Sequence, residues 1–273
     1  MSTFLSSLRR QSGGWFAMAA LQPKMFLVFR GWVWMELISR TLGMLIITYF
    51  WRAVYENTTT ISNLSLQQTI NYVLLAQLFA SIAMNSAIFW AGWWIRDGSI
   101  IIEMLRPIDL QLQVLIQLVA NNLTALVTSL PVAILAVLFF GLRLPTDPLV
   151  WISFAISLAL GQLVIFFFDW IYLCLVFYTT EVWGLGVFRE GVTLFLSGAL
   201  IPLQMMPDWL RNIALATPFA QALAMPVSIL SGATPLDQVP RVWMGQLIWG
   251  IVGFVASRWL FRIAVRKVTV QGG

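Results

Sequence analysis

Histidine is absent from this sequence of 273 residues, and cysteine occurs once, as Cys174 inside an apolar run. Without histidine, the chain cannot form a Ser-His-Asp triad, an HExxH zinc site or a haem site with a histidine ligand. A single cysteine allows neither an internal disulfide nor a cysteine metal cluster. We therefore expect no catalytic residue and no metal site.

Charged residues are also scarce, at 10% of the chain, against roughly 25% in an ordinary soluble domain. Hydrophobic residues make up 60%, and several apolar stretches reach the roughly 20 residues that a helix needs to cross a bilayer. The net charge of +5 comes from single cations scattered between these stretches, which is not the basic patch of a nucleic-acid-binding protein. The sequence therefore predicts a membrane protein in contact with lipid and without a nucleic-acid partner.

Hydropathy indicates an all-α polytopic membrane protein with six transmembrane helices in one transmembrane domain over residues 1–273. The predicted spans are Trp32–Trp51, Ile70–Trp90, Val114–Phe140, Leu149–Phe177, Trp183–Leu203 and Trp243–Phe261. An even number of spans places both termini on one side of the membrane.

The positions of the cations predict that side. The candidate inner segments hold ten of the sixteen cations, whereas the opposite loops hold four, Arg52, Arg143, Arg211 and Arg241. Cytoplasmic loops are enriched in Lys and Arg. Both termini are therefore expected in the cytoplasm.

The region before the first span carries no predicted signal peptide, because residues 1–14 lack an apolar core followed by a small-residue cleavage site. The next stretch, Trp15 to Phe29, is apolar but interrupted by Pro23 and Lys24. We expect residues 1–30 to form a cytoplasmic tail and an amphipathic helix in the membrane interface. A seventh crossing is the alternative, and it would place the termini on opposite sides.

The connection between the second and third spans, residues 91–113, is too long for a minimal helical hairpin turn. A short helix from Ser99 to Leu105 would bring Ile102 and Leu105 near one face. Arg106-Pro107 would end it, because the residue before a proline disfavours the helical conformation. The segment is either a solvated cytoplasmic loop or a docking element for a cytoplasmic partner.

Few charged residues lie within the spans. Asp169 lies inside the fourth, and Arg189 and Glu190 lie inside the fifth, so a tight antiparallel hairpin could bring Asp169 against either of them. An unpaired charge in the bilayer costs at least about 2.5–3.5 kcal/mol, so we expect each to have a partner or to reach water. An Asp169–Arg189 pair would join two helices, and a proton-coupling or substrate-contact role is the alternative. Glu36 and Arg40, four residues apart, are interpreted as a structural pair within one helix.

Residues 204–232 contain too many prolines for one clean span and are too apolar for an exposed loop. Non-helical backbone at membrane depth is tolerated where protein buries it or where it lines a cavity. Two short helices, Asp208 to Thr217 and Phe219 to Leu230, that dip into the outer leaflet would satisfy this constraint, with Asp208 as an N-cap. The segment is marked by Pro207, Asp208, Trp209, Pro218 and Phe219.

The phosphate-binding pattern GxxxxGK[ST] is absent, so the chain cannot hold ATP in a P-loop. If ATP drives this protein, another chain binds the ATP.

Two groups of residues stand in an informative order. The first is Arg96-Asp97-Gly98 with Leu105-Arg106-Pro107, and the second is the run from Leu196 to Pro202 followed by Met206-Pro207-Asp208-Trp209-Leu210 and Pro218-Phe219. In this order, and over nearly the whole chain, the sequence resembles the type-2 ABC transporter permeases, which are exporter-type membrane subunits of bacteria.

The resemblance implies that residues 1–30 hold a connecting helix, that residues 204–232 are re-entrant extracellular helices, and that residues 91–113 hold a coupling helix. The coupling helix would dock in a groove on a separate ATPase through Arg96, Asp97, Ser99, Ile102, Glu103, Leu105 and Arg106. Two permeases, identical or homologous, would form a dimer in the bacterial inner membrane with two ATPases, which bind ATP and Mg. The substrate route would then lie between the permeases, and this chain itself would carry no cofactor.

Aromatic-rich spans with few charges favour an amphipathic or hydrophobic cargo, and related permeases move drugs, peptides, lipids and polysaccharides. Two other functions remain open. A secondary transporter would show an internal repeat, and no convincing repeat relates the two halves. An intramembrane enzyme would have only carboxylates and hydroxyls available for chemistry.

Overall fold

The computed structural model describes residues 30–107, 109–179 and 181–267. The predicted N-terminal tail and interfacial helix therefore lie outside the described residues, apart from Arg30. The α-helices of the described part are α1 (Arg30–Val54), α2 (Leu66–Met84), α3 (Ile88–Arg96), α4 (Ile100–Met104), α5 (Leu110–Phe139), α6 (Pro148–Thr179), α7 (Trp183–Leu196), α8 (Asp208–Leu215), α9 (Pro218–Ala222), α10 (Ala224–Leu230) and α11 (Val239–Ala264). Short 3₁₀ turns cover Leu203–Met205, Leu236–Gln238 and Val265–Lys267.

Among the described residues, five helical stretches are long and apolar enough to cross a membrane, and they are Trp34–Val54, Leu66–Arg96, Leu110–Phe139, Pro148–Thr179 and Leu236–Lys267. In the described part, strand structure is limited to β1 (Thr60–Ile61) and β2 (Leu64–Ser65), an antiparallel pair turned by Ser62 and Asn63 at positive φ. The prediction of an all-α polytopic membrane protein is confirmed.

The helix found in the fifth predicted span, Trp183–Leu203, is shorter than the span itself. Its helix α7 has 14 residues, which rise about 21 Å against the roughly 30 Å of a hydrocarbon core. Alone it is too short to cross, so the count of six spans stays a prediction.

The second predicted span is one apolar stretch but two helices. α2 ends at Met84 and α3 begins at Ile88. Between them, the Asn85 amide donates to the Asn122 side chain at 2.6 Å, and the Ser86 hydroxyl accepts from the Ile88 N–H at 3.2 Å. A short polar side chain such as that of Ser86 offers the backbone an alternative to a helical bond, and here it accompanies a break inside the apolar stretch.

Helix α6 is central and packs most extensively against α11, with further contacts to α3, α9 and α10. Ser157 and Gln246 are bonded near the starts of α6 and α11, so these two helices run parallel. Gln111, at the start of α5, donates to Ser257 near the end of α11 at 3.0 Å. Since α6 and α11 are parallel, the segment that joins them must return across the bundle.

Candidate functional site

The loop between α3 and α5 ends in an apolar tip. The short helix predicted over Ser99 to Leu105 is present as α4, flanked by these two residues. Ile100 faces inward and is buried, whereas Ile102 and Leu105 are 63% and 79% exposed. Solvent-facing apolar side chains clustered in one place are typical of interaction surfaces.

Asp97 and Ser99 form the turn that leads into α4. Asp97 Oδ1 accepts hydrogen bonds from the Ser99 hydroxyl at 2.7 Å and from its backbone N–H at 2.9 Å. Both bonds favour the ionised carboxylate and lower the pKa of Asp97. The guanidinium of Arg96 lies 4.8 Å from the centroid of the Trp93 ring, which places this cation over an aromatic face at the end of α3.

Polar contacts connect α4 to α5 and the start of α5 to α11. Glu103 pairs with Arg106 at 2.8 Å and accepts a hydrogen bond from Gln113 of α5. Asp109 caps the start of α5 and pairs with Arg258 of α11 at 2.5 Å. The tip is therefore attached to α5, and the start of α5 is attached to α11.

The seven residues predicted for docking thus divide into two groups. Arg96, Asp97, Ile102 and Leu105 are exposed and available to a partner. Ser99, Glu103 and Arg106 are half-buried, and their contacts hold the segment in place. The sequence could not separate these groups, because the bond to Gln113 depends on how α4 folds back on α5.

Arg189 of α7 and Asp169 of α6 form a buried bidentate pair. Nε lies 2.6 Å from Oδ1 and Nη2 lies 2.9 Å from Oδ2, and both residues are almost fully shielded. The structure therefore brings together the first two of the three predicted residues. Glu190 is half-buried and takes no part in the pair.

The same guanidinium closes the end of α2. Nη1 donates to the Met84 carbonyl and Nη2 to the Ala83 carbonyl, each at 3.1 Å. The last carbonyls of a helix have no intrahelical donor and carry partial negative charge, which favours a cation. Arg189 thus joins α6, α7 and the break after α2.

The break also borders a cavity of about 710 Å³ between α1, α2 and α5. Its polar lining comprises Glu36, Ser39, Arg40, Ser81, Asn85 and Asn121. Glu36 and Arg40 are paired at 2.5 Å, so the intrahelical contact expected from their spacing is formed. The tertiary structure adds that this pair faces open space lined by other helices.

A chain of amide side chains runs from the break into the bundle. Asn85 donates to Asn122 of α5 at 2.6 Å, and Asn122 donates to Gln162 of α6 at 3.3 Å. Polar side chains between membrane helices hydrogen-bond across the interface in this way. The chain links α2, α5 and α6 at the level of the break.

Helix α7 ends at a left-handed glycine. Gly198 has a φ of +77°, and a Cβ at this position would lie 2.6 Å from the Tyr72 hydroxyl. Glycine alone suits both this conformation and this close approach. The turn directs the chain into the segment predicted to be re-entrant.

The short helices of that segment are present with different ends. α8 ends at Leu215, and the second predicted helix is divided into α9 and α10 at Leu223. The prediction that Asp208 is an N-cap is wrong, because Asp208 is the first helical residue and its carboxylate pairs with Arg211 at 2.6 Å. Of the marker residues, Asp208 and Trp209 are exposed with Pro207 beside them, whereas Pro218 and Phe219 are buried.

Helix α9 lies between α6 and α11. Gln246 donates to the carbonyls of Ser157 and Gln221, each at 2.9 Å. The Gln221 carbonyl also approaches Gly161, where a Cβ would lie only 2.3 Å away. This irregular backbone is thus satisfied by protein groups, as non-helical backbone at membrane depth requires. The bilayer depth of α8 to α10 stays a prediction.

Sequence reasoning missed the break after α2, the cavity and the role of Gln246. A signal for the break is present in Asn85-Ser86, two short polar residues inside an apolar stretch. The cavity has a weaker signal in Glu36, Ser39 and Arg40, which lie three and four residues apart and so share one helical face. No local pattern marks Gln246, since its partners are distant in sequence.

One comparison with known proteins bears on identity. The family model described as ABC-2 family transporter protein matches residues 42–272, which is most of the chain. No curated protein matches the chain.

Proposed function

Since this chain belongs to the ABC-2 family of transporter proteins and is thus a membrane permease subunit of an ABC transporter, we propose that a separate ATPase polypeptide drives it and that it exports its cargo. The ATPase would bind ATP and Mg, and this chain would hold neither. The permease would convert the movement of the ATPase into a change of access to the substrate route.

The apolar tip of α4 is the observation that carries this proposal. Ile102 and Leu105 are largely exposed, and so are the charged residues Arg96 and Asp97 of the same segment. An apolar centre with a polar rim is the usual anatomy of a protein interface. The tip fits a groove on a cytoplasmic partner better than it fits bulk water.

The attachment of the tip supports a coupling role. Glu103, Arg106 and Gln113 form one cluster, and Asp109 with Arg258 forms another. Both clusters reach helices long enough to span the membrane. A partner that moves the tip would therefore move α5 and α11 with it.

The proposed location is a bacterial inner membrane with both termini in the cytoplasm, where the ATPase would dock. The support is the excess of Lys and Arg on the side that carries α4 and the end of α11.

A second permease, identical or homologous, is the proposed membrane partner. α1 and α11 are the least enclosed of the long helices. In the apolar 18-residue segment of each helix, 17% and 11% of the residues are buried, against 56% for α2 with α3. Lipid or another subunit must cover such faces. In a dimer, the substrate route would lie where the two permeases meet, and the aromatic-rich spans favour an amphipathic or hydrophobic cargo.

Co-purification tests the proposal. The tagged chain, extracted in mild detergent, is expected to retain an ABC ATPase with vanadate-sensitive ATP hydrolysis. Leu105→Glu should abolish this association and ATP-driven transport in liposomes while leaving membrane insertion unchanged. A matched control is Leu236→Glu, which alters an exposed leucine in the turn before α11 and should retain the ATPase.

Transport by the purified chain without any ATPase would contradict the proposal and favour a secondary transporter. Assembly and ATP-driven transport that persist in Leu105→Glu would show that docking occurs elsewhere.

A further inference from the structure

Two side chains that line the cavity between α1, α2 and α5 carry hydrogen-bonding groups that no described residue satisfies. Arg40 Nη1 and Ser81 Oγ are buried and have no hydrogen-bond partner within residues 30–107, 109–179 and 181–267. Both side chains line this cavity of about 710 Å³. Buried polar groups in native proteins are normally paired, so these two side chains have hydrogen-bonding capacity that the described residues leave unused.

A comparison with Arg189 shows how different Arg40 is. Arg189 is completely buried and makes four hydrogen bonds, to Asp169 and to two carbonyls. Arg40 has one ion-pair contact, from Nη2 to Glu36 Oε1, and its side chain is 17% exposed. The first arginine is saturated, whereas the second has one unpaired donor group in a side chain that lines the cavity.

The free groups select the chemistry of the ligand. A guanidinium is a fixed fork of donors that matches the oxygens of phosphate or carboxylate. Ser81 adds a hydroxyl, and Asn121 adds an amide to the same lining. An anionic group with several acceptor oxygens would satisfy these donors together.

The rim of the cavity indicates the rest of the ligand. Met35 lines the cavity and is 70% exposed. Ile38 and Leu42, further along α1, are also more than half exposed. A cavity with polar side chains in a largely apolar wall, opening beside an apolar helix face, fits an amphipathic molecule with its head inside and its chains along α1.

We propose that the cavity between α1, α2 and α5 binds the anionic headgroup of an amphipathic molecule of the phospholipid class, with Arg40 as the main contact. Glu36 accepts a hydrogen bond from the Arg40 guanidinium. It therefore competes with the bound anion and weakens the site. This inference rests on the proposed function in one respect, since the bound amphiphile would be the cargo.

Binding is measured on the full-length chain purified in non-ionic detergent without an ATPase. Native mass spectrometry with added phosphatidylglycerol counts bound lipids, and inorganic phosphate serves as the soluble anion. Phosphatidylglycerol is expected to bind and phosphate is not. Arg40→Gln should weaken binding by about tenfold or more, because a hydrogen bond to a charged group is lost.

The two members of the pair give opposite expectations. Glu36→Gln should strengthen binding, because it frees Arg40 from its internal counter-charge, and Ser81→Ala should weaken it severalfold. Arg52→Gln, which alters an arginine of the same helix outside this cavity, should leave binding unchanged. Thermal unfolding of every variant reports whether the fold is intact.

Three results would overturn the inference. Weaker binding in both Glu36→Gln and Arg40→Gln would assign the pair a purely structural role. Equal losses in Arg40→Gln and Arg52→Gln would indicate a lipid layer bound by general charge. Phosphate binding as tight as that of phosphatidylglycerol would show that the site recognises an anion and not an amphiphile. Should Arg40→Gln fail to fold, Glu36→Gln and Ser81→Ala decide between these outcomes.

The binding test and the transport test can fail independently of each other. A chain that binds phosphatidylglycerol with these responses but retains no ATPase contradicts the proposed function and leaves the site intact. A chain that couples to an ATPase and shows no such binding contradicts the site alone.

Discussion

Arg189 holds three parts of the chain through one side chain. Its guanidinium reaches the Asp169 carboxylate and the carbonyls of Ala83 and Met84. The two bonds to Asp169 and the bond to the Ala83 carbonyl are buried, and the bond to the Met84 carbonyl is partly buried. The pair therefore stabilises the fold in its complete form and destabilises it when one member is removed.

At this scale we predict that Arg189→Met lowers stability by about 3–5 kcal/mol, because it leaves a buried carboxylate without its partner. The free energy of unfolding in detergent and the protein level in membranes report the loss. Arg189→Lys should retain only part of the wild-type stability, since an ammonium cannot reproduce the planar fork of donors.

Glu190→Gln is the matched control, because this neighbour lies outside the pair and should leave stability unchanged. Normal abundance of Arg189→Met together with lost transport would oppose the structural role and support a role in coupling or substrate contact.

At the scale of elements, the position of α9 depends on the absence of a side chain at Gly161. A Cβ at this position would lie 2.3 Å from the Gln221 carbonyl. We expect Gly161→Ala to cost about 1–3 kcal/mol through overpacking. Gly191→Ala, in α7 and with nothing within 4 Å of its Cβ, should be neutral or slightly stabilising, because alanine favours helix. Thermal unfolding of the two variants compares them directly, and equal Tm values would contradict the close approach.

The junction of α5 and α11 should depend on pH. Partial burial alone would raise the pKa of Asp109, but hydrogen bonds from Arg258 and from the Leu112 N–H outweigh it and lower the pKa. Because the folded value lies below the unfolded one, the ionised carboxylate stabilises the fold above the unfolded pKa. This contribution is lost as pH falls through the folded pKa.

Asp109→Asn should therefore lower Tm near neutral pH, and the difference from wild type should shrink between about pH 5 and pH 3. Asn retains a capping oxygen, so the difference reports mainly the ion pair with Arg258. Asp237→Asn, at the opposite end of α11, provides the control. A Tm difference that stays constant across this range would contradict the assignment.

At the scale of the whole molecule, the parallel arrangement of α6 and α11 requires the segment between them to cross the bundle once. α7 is too short to do so alone, so α7 together with α8 to α10 would complete the sixth crossing. We predict that cysteines placed at Glu181 and Asp237 react from opposite sides of the membrane, with Glu181 on the cytoplasmic side.

An impermeant thiol reagent applied to intact cells and to inside-out vesicles measures this. Cys174 is buried, so the unmodified chain gives the background. Cysteines at Glu56 and Leu105 serve as the outer and inner references. If the cysteines at positions 181 and 237 are labelled from the same side, the chain crosses the membrane five times and not six.

Contacts that depend only on spacing along the chain could be predicted. Glu36 and Arg40 are one helical turn apart, and Asp169 and Arg189 are symmetric about a tight turn, so spacing alone brought both pairs within reach. The partner of Asp208 was predicted wrongly, because Arg211 and the backbone amides of α8 compete for one carboxylate and local pattern does not rank them.

By itself, the sequence determined that this protein spans the membrane several times as helices, that it lacks a P-loop, and that Ile102 and Leu105 lie near one face of a short helix. These features follow from the hydropathy, composition and order of residues, which need no knowledge of which helices pack together. Only the tertiary structure decided that Arg189 closes the end of α2, that Gln246 holds α9, and that Arg40 faces a cavity. Each of these depends on partners distant in sequence, since a buried polar group is satisfied by whichever helix lies beside it.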